Sequence, residues 1–494
     1  MEEQDVSQTT LRSSLIPSSE KSNVFAGETV EDLCERNIVF EEVKRQLWLS
    51  GPLISVCLLQ KCLQVVSIMF VGHLGELALS GAAMATSFAG VTGFSFLVGM
   101  ASALDTLCGQ SYGAKQYHLL GIHMQRGMFV LLLVSIPLAI IWGYTGFFLL
   151  SFGQDPEIAA QAGLYACWMI PSIFAYGLLQ CLVRFLQAQN IVFPMMISSG
   201  MTALVHILLC WILVFESGLG SKGAALANSI SYWINVLLLA LYVKFSPACK
   251  KTWTGLSKES LHDTFHFIQL AVPSAVMVCL EFWSFEFLVL LSGLLPNPKL
   301  ETSVLSISLN TSSLAFMIPF GLGGTVSTRV SNELGAGRPQ AAKLAVKVVL
   351  GLAITVGLVV GTTMMLVRKV WGYAYSSEEE VVWYIAVMMP ILATSNFLDG
   401  IQCVLSGTCR GCGWQKIGAF VNLGAYYIAG IPSAILFAFV LHMGGKGLWM
   451  GIVCGLLVQA SLLLTITLCT NWEQEARKAR DRVYSSSLPV DMAQ

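Results

Sequence analysis

The sequence predicts an all-α polytopic membrane protein: twelve transmembrane helices in two pseudo-symmetric six-helix lobes, arranged as parallel repeats around a central cleft. Three observations carry this. Of the 494 residues, 55% are hydrophobic and 12% are charged, roughly half the charged share of a soluble protein, and mean hydropathy is +0.69. The apolar residues gather in runs of about twenty or more, enough for a helix to cross about 30 Å of hydrocarbon. Motifs of the first half also recur in the second at a nearly constant spacing.

Residues 1–45 are polar and acidic. The first part (QTTLRSSLIPSSEKS) reads as a disordered tail rather than a cleavable leader, and 30–45 as an amphipathic lead-in helix lying at the membrane surface. Apolar runs then fall at 46–71, 80–107, 124–147, 161–187, 193–215 and 222–243, forming a first lobe over 46–243. A basic loop, 244–264, joins it to a second lobe over 265–469, with runs at 265–293, 303–328, 342–366, 383–407, 416–438 and 444–469. Residues 470–494 are a C-terminal tail. Pro273, Pro319, Pro390 and Pro432 interrupt second-lobe helices, which bundles tolerate and which often accompanies bending.

Orientation follows from the basic residues, because positive loops stay cytoplasmic. One set of loops and flanks holds Lys115, Arg126, Arg184, Lys244, Lys250, Lys251, Lys258, Arg329, Arg338, Lys343, Lys347, Arg410 and Lys416; the other holds Lys222, Lys299, Arg368, Lys369 and Lys446. Both termini are therefore expected in the cytoplasm.

The repeat is explicit. Pro52 and Pro273 are 221 residues apart, Gly113-Ala114-Lys115 and Gly335-Ala336-Gly337 are 222 apart, and Lys222-Gly223 and Lys446-Gly447 are 224 apart. Six spans per half is an even number, so both halves enter the membrane the same way round. Two such lobes can rock about a midplane site, which suits a transporter better than a channel or an enzyme.

Carboxylates at membrane depth usually mark an ion, proton or substrate path. Glu281 and Glu286 lie in the seventh run and Asp399 in the tenth. At the repeat spacing Glu281 falls on Gln60 and Glu286 on Val65, so the second lobe is expected to titrate. Glu281 and Glu286, five positions apart, project about 140° from each other on a helix, so one can work while the other supports. Asp105 is the one clear acid within the first-lobe spans, near the end of the second run in LDTLCGQSYGA. Two readings stand for it, a helix-end group ordering the next loop and a proton carrier. Lys61, beside Gln60, either pairs with an acid across the cleft or snorkels. Asn310, Thr311, Asn422, Tyr426 and Tyr427 offer polar groups to the cleft or serve as glue between helices.

Other classes find little support. A net charge of −1 and the lack of a basic stripe argue against nucleic acid. The 14 cysteines sit mostly in apolar runs as small hydrophobes. Cys409 and Cys412 have metal-like spacing without a second pair, so no metal site and no cofactor are expected. A membrane enzyme acting on lipid would need a convergent His, Asp or Ser cluster, and none is visible.

VGHLGELALSGAAMATSF, LDTLCGQSYGAKQ, PSAVMVCLEFWSFE, STRVSNELGAGRP and RGCGWQKIGAFVNLGAYYIAGIP resemble signature segments of the multidrug and toxic compound extrusion (MATE) family, in its plant detoxification-efflux branch. The resemblance spans about residues 40–470. It implies two six-helix lobes with a V-shaped cleft, and exchange of organic solutes for protons or sodium. The branch's functional carboxylates fall on Glu281, Glu286 and Asp399. In Val65-Val66-Ser67-Ile68-Met69, Val66 replaces an aspartate that many bacterial members carry, so a first-lobe cation site of that type is not expected. The expected function is solute export or sequestration in exchange for protons, by a monomer in the plasma or vacuolar membrane. The alternatives are sodium coupling or passive facilitation on the same fold. An apolar surround disfavours a charged carboxyl, which suits such a group to trade a proton for cargo.

Overall fold

The computed structural model describes residues 30–485; the polar start expected as a disordered tail, 1–29, and residues 486–494 lie outside the described residues. From Glu42 on, the chain forms one compact unit. Among the described residues, twelve helices are long and apolar enough to cross a membrane. In the first half they are α1 (Val30–Gly72), α2 (Glu76–Gly113), α3 (Tyr117–Gly143), α4 (Pro156–Ala188), α5 (Phe193–Glu216) and α6 (Ser221–Phe245). The second half contributes α7 (Thr264–Ser292), α8 (Pro298–Gly335), α9 (Pro339–Val367), α10 (Glu379–Cys412), α11 (Gln415–Val440) and α12 (Gly445–Cys469). Helices prevail because lipid offers backbone groups no hydrogen-bond partner, so each segment must satisfy its own. A further amphipathic helix, α13 (Trp472–Ser485), follows in the C-terminal tail. Residues 30–45, read as a lead-in, run into the first span as one helix, since nothing near Arg45 breaks it.

The repeat is written into the backbone as well as the motifs. Left-handed residues recur in pairs: Lys115 (φ 62°) with Gly337 (φ 70°), Asn190 (φ 61°) with Gly413 (φ 86°), and Gly220 (φ 56°) with Gly444 (φ 62°). A π-helical turn ends α5 at Ile212–Glu216 and its counterpart ends α11 at Leu436–Val440. A second π turn, Leu423–Gly430, has no equivalent, because the matching part of α5 is regular α-helix within Phe193–Trp211. The first lobe has an unmatched π turn of its own, Gly90–Phe94 within α2, where the matching part of α8 is regular α-helix, so the symmetry breaks once in each lobe.

The lobes close on each other at one end. Residues 99–111 of α2, 179–189 at the end of α4, 321–335 of α8 and 402–412 of α10 are buried without interruption. Two helices from each repeat thus form a plug where their even-numbered members end. Gln110 Nε2 donates to Gly411 O at 3.1 Å, and its repeat counterpart Asn332 donates from Nδ2 to Ala188 O at 3.1 Å. Gln187 Nε2 donates to Gly324 O and Thr328 Oγ1, each at 2.9 Å. Gly113 and Gly335 permit this approach: a methyl at Gly113 would run into Asn332 O, and one at Gly335 into Gln110 O.

Two further ties cross the plug. Arg329 of α8 is gripped by Glu42 at 2.8 and 3.0 Å and by Glu333 at 2.8 Å. Helix α13 ties back through Glu475, which accepts from Trp414 Nε1 at 2.9 Å, and through Arg482, which donates to Gln110 Oε1 at 2.6 Å. Burial lowers the Arg482 pKa, and the nearby Glu475 opposes that shift.

Candidate functional site

Gln402 joins the two acids that the sequence left apart. It lies three residues after Asp399 on α10, hence on nearly the same face. Its Nε2 donates to Glu281 Oε1 of α7 at 2.9 Å and to Asp399 Oδ1 at 2.7 Å. Ser406, one turn further on, donates to Gln402 Oε1 at 3.1 Å, which fixes the amide with its nitrogen toward the acids. Gln402 and Asp399 are buried, and Glu281 is half-buried.

A second polar chain supports Glu281 from α11 and α12. Asn422 Nδ2 donates to Met277 O at 2.7 Å, holding the turn of α7 just before Glu281. Gln459 donates to Asn422 Oδ1 at 2.8 Å and accepts from Tyr426 Oη at 2.7 Å, and it faces Glu281 too. The extra π turn begins right after Asn422. Its i→i+5 bonding widens the helix, and both Asn422 and Tyr426 reach Gln459. π turns of this kind recur at functional sites.

The remaining candidates divide. Glu286 accepts from Ser87 Oγ of α2 at 3.0 Å, so it faces the first lobe rather than the Glu281 cluster. Lys61 stands within electrostatic reach of Glu286, with no ion pair within 4.0 Å for it among the described residues. Gln60 is half-buried and its Nε2 finds no hydrogen-bond partner among the described residues. Asn310 is exposed and bonds its own helix at Ser306 O, 3.0 Å away. Thr311 is taken up by Trp371, whose Nε1 donates to it at 2.9 Å. Tyr427 is half-buried, and none of these last three joins the acid cluster.

Asp105 occupies the plug. Its Oδ1 lies 3.4 Å from Arg184 Nη1 of α4, and its Oδ2 lies 3.6 Å from Arg410 Nε of α10. All three residues are buried. The acid thus joins the lobes, a role that neither sequence reading assigned to it. No group of three or more His, Cys, Asp or Glu placed to hold a metal occurs among the described residues.

Sequence reasoning missed Gln402, Gln459, Arg184 and Arg410. The first had a signal: an amide one turn from a membrane-depth acid is a natural hydrogen-bond partner for it. The arginines lie near span ends, where a basic residue signals topology and nothing more.

The architecture and this cluster agree with what comparison finds. The MatE family profile matches residues 52–212 and 273–436, one segment in each lobe. The chain is 67% identical over 459 residues to Protein DETOXIFICATION 16 of Arabidopsis thaliana, covering 93% of this chain and 94% of that one. It is 62% identical over 448 residues to Protein DETOXIFICATION 17 of the same organism, covering 91% and 94%. The crystal structure of the eukaryotic MATE transporter AtDTX14 superposes with a TM-score of 0.88 at 51% identity, over 90% of this chain and 100% of that one. The outward-facing conformation of a multidrug resistance MATE family transporter shares the fold alone, with a TM-score of 0.75 at 17% identity over 90% and 97% of the two chains. Twelve helices in two repeats, a family match to both, and relatives this similar along nearly their whole length lead to one conclusion: the chain belongs to the MatE family of MATE transporters.

Proposed function

We propose that this transporter exchanges small organic solutes for protons at the Glu281–Gln402–Asp399 cluster. The observation that carries the reading is the single Gln402 amide held by two carboxyl groups. Two carboxylates so close together, largely withdrawn from water, repel each other. A proton or a cationic solute relieves that repulsion, and the two ligands compete for the same charge. On the acidic side of the membrane a proton displaces the solute; on the other side the proton leaves and solute returns. Exchange follows if both loaded forms reorient and the empty one does not.

The closed plug lies at the end with the denser basic loops, so it is assigned to the cytosolic side, with both termini there. The working unit is read as a monomer in the plasma or vacuolar membrane. The test is uptake of a panel of labelled organic cations, anions and neutral solutes into proteoliposomes, driven by a proton gradient or a sodium gradient alone. Uptake above the solute's own gradient is expected with the proton gradient. Accumulation driven by sodium only, or none beyond equilibration, would overturn proton exchange.

A further inference from the structure

Helix α13 is anchored on one lobe and reaches the other. Trp472, Glu475, Ala476, Ala479 and Val483 are buried and recur every three or four residues, so a single face of the helix lies against the protein. Over its first two turns that face meets the second lobe. Trp472, Ala476 and Ala479 join the apolar cluster that contains Leu334 and Trp414, and Glu475 accepts the Trp414 indole N–H at 2.9 Å. The last turn meets both lobes. Val483 packs with Leu119 and Ile122 of α3 in the first. The Arg482 guanidinium donates to Gln110 Oε1 of α2 at 2.6 Å and covers Gly413 at the end of α10, where a methyl would stand 2.8 Å from both of its terminal nitrogens.

The bond to Gln110 has a consequence for the plug. An amide can turn over and exchange its oxygen for its nitrogen, and an arginine, which only donates, accepts one of the two orientations. With Arg482 on Oε1, the Gln110 nitrogen is directed to Gly411 O across the lobe boundary, the bond observed at 3.1 Å. The repeat counterpart has no such guide: Asn332 donates to Ala188 O, while its Oδ1 finds no hydrogen-bond partner among the described residues. Of the two reciprocal bonds that close the plug, one is therefore oriented from outside it, by the tail helix.

We propose that the last turn of α13 is a latch on the plug, with Arg482 as the positioning residue that sets Gln110. The turn holds the two lobes together at this end, and it must leave Gln110, Leu119 and Ile122 before they part. The helix then travels with the second lobe, where its first two turns are anchored. A hydrogen bond from a charged donor is strong enough that its loss shifts a closed–open equilibrium about tenfold or more. Weakening the latch thus favours the form that is open at the plug and shut at the opposite end. The inference rests on the reading of two rocking lobes, and not on which ion drives them.

Hydrogen–deuterium exchange of the purified full chain, with no gradient and no solute, reads both ends of the molecule at once. Residues 103–113 of α2 and 323–335 of α8 report the plug; residues 80–88 and 302–310, toward the other ends of the same two helices, report the opposite mouth. Arg482→Gln is expected to lose about tenfold protection at the plug and to gain protection at the opposite mouth. Arg482→Lys, which keeps a cationic donor, is expected to stay near the wild type. A helix that serves only as padding gives a different pattern, with protection lost at both ends. That pattern, or unchanged protection at the plug, overturns the latch. If Arg482→Gln fails to fold, Val483→Ala serves, because Val483 meets the first lobe at Leu119 and Ile122: the same reciprocal shift is expected at smaller size, and loss at both ends or no shift overturns the proposal equally. Proton-driven uptake is measured separately, so its absence would sink the exchange reading and leave this result standing.

Discussion

Gln110 and Asn332 are repeat counterparts that reach across the lobe boundary in opposite directions, each giving its amide to a carbonyl of the other lobe at 3.1 Å. The pseudo-symmetry is therefore also a property of the contact that closes the molecule at one end. Reciprocal bonds of this kind break together when the lobes rock apart, so the plug behaves as one unit.

Removing either amide leaves a buried carbonyl without its cross-lobe partner, a cost of about 1–3 kcal/mol. Gln110→Ala and Asn332→Ala are both expected to lower the melting temperature in detergent, with Gln110→Ala the larger because it also loses Arg482. Unchanged melting in either variant would show that the bonds contribute nothing to closure.

The glycines of the plug make a sharper test, since the atom in the way is backbone. Gly113→Ala and Gly335→Ala are expected to cost about 1–3 kcal/mol through overpacking. Gly143→Ala, where no neighbour lies within 4 Å, is the control and is expected to be neutral or slightly stabilising. Comparative thermal unfolding checks all three.

Arg329→Met takes the shared buried cation from two acids, leaving Glu42 with the Gln46 amide and Glu333 with the exposed Arg338. Breaking one side of such an arrangement typically costs about 3–5 kcal/mol. A marked loss of stability is expected, while whatever transport remains keeps its wild-type pH profile, because Arg329 serves the framework. An altered pH profile would place Arg329 in the coupling path.

Glu286 and Gln402 separate support from work. Glu286→Gln keeps an acceptor for Ser87 and is expected to retain proton-driven uptake with a changed apparent affinity for cations. Gln402→Leu removes the shared donor from two carboxyl groups, and uptake is expected to fall by about tenfold or more, the effect of about 1.4 kcal/mol. The reverse order in proteoliposome assays would move the working acid to Glu286.

Much of this was legible in the chain, and the limits have physical reasons. Span number and the repeat follow from hydropathy and spacing, which are local properties. Glu281 and Asp399 stood out because a carboxylate is conspicuous in an apolar run. Gln402 did not, because an amide in a membrane helix is ordinary and only its neighbours make it important. Arg410 was hidden differently: a charge near a helix end is expected from topology alone, and its partner Asp105 is about 300 residues away in sequence. Asn310 and Thr311 are adjacent yet face differently, one exposed and one bonded to Trp371, a distinction set by helix rotation against neighbours.

Uptake into proteoliposomes with an imposed pH gradient, comparing wild type with Glu281→Gln, tests the central claim most directly. The wild type is expected to accumulate labelled solute above equilibration and Glu281→Gln to lose that accumulation. Proton-driven accumulation by Glu281→Gln at the wild-type rate would contradict it.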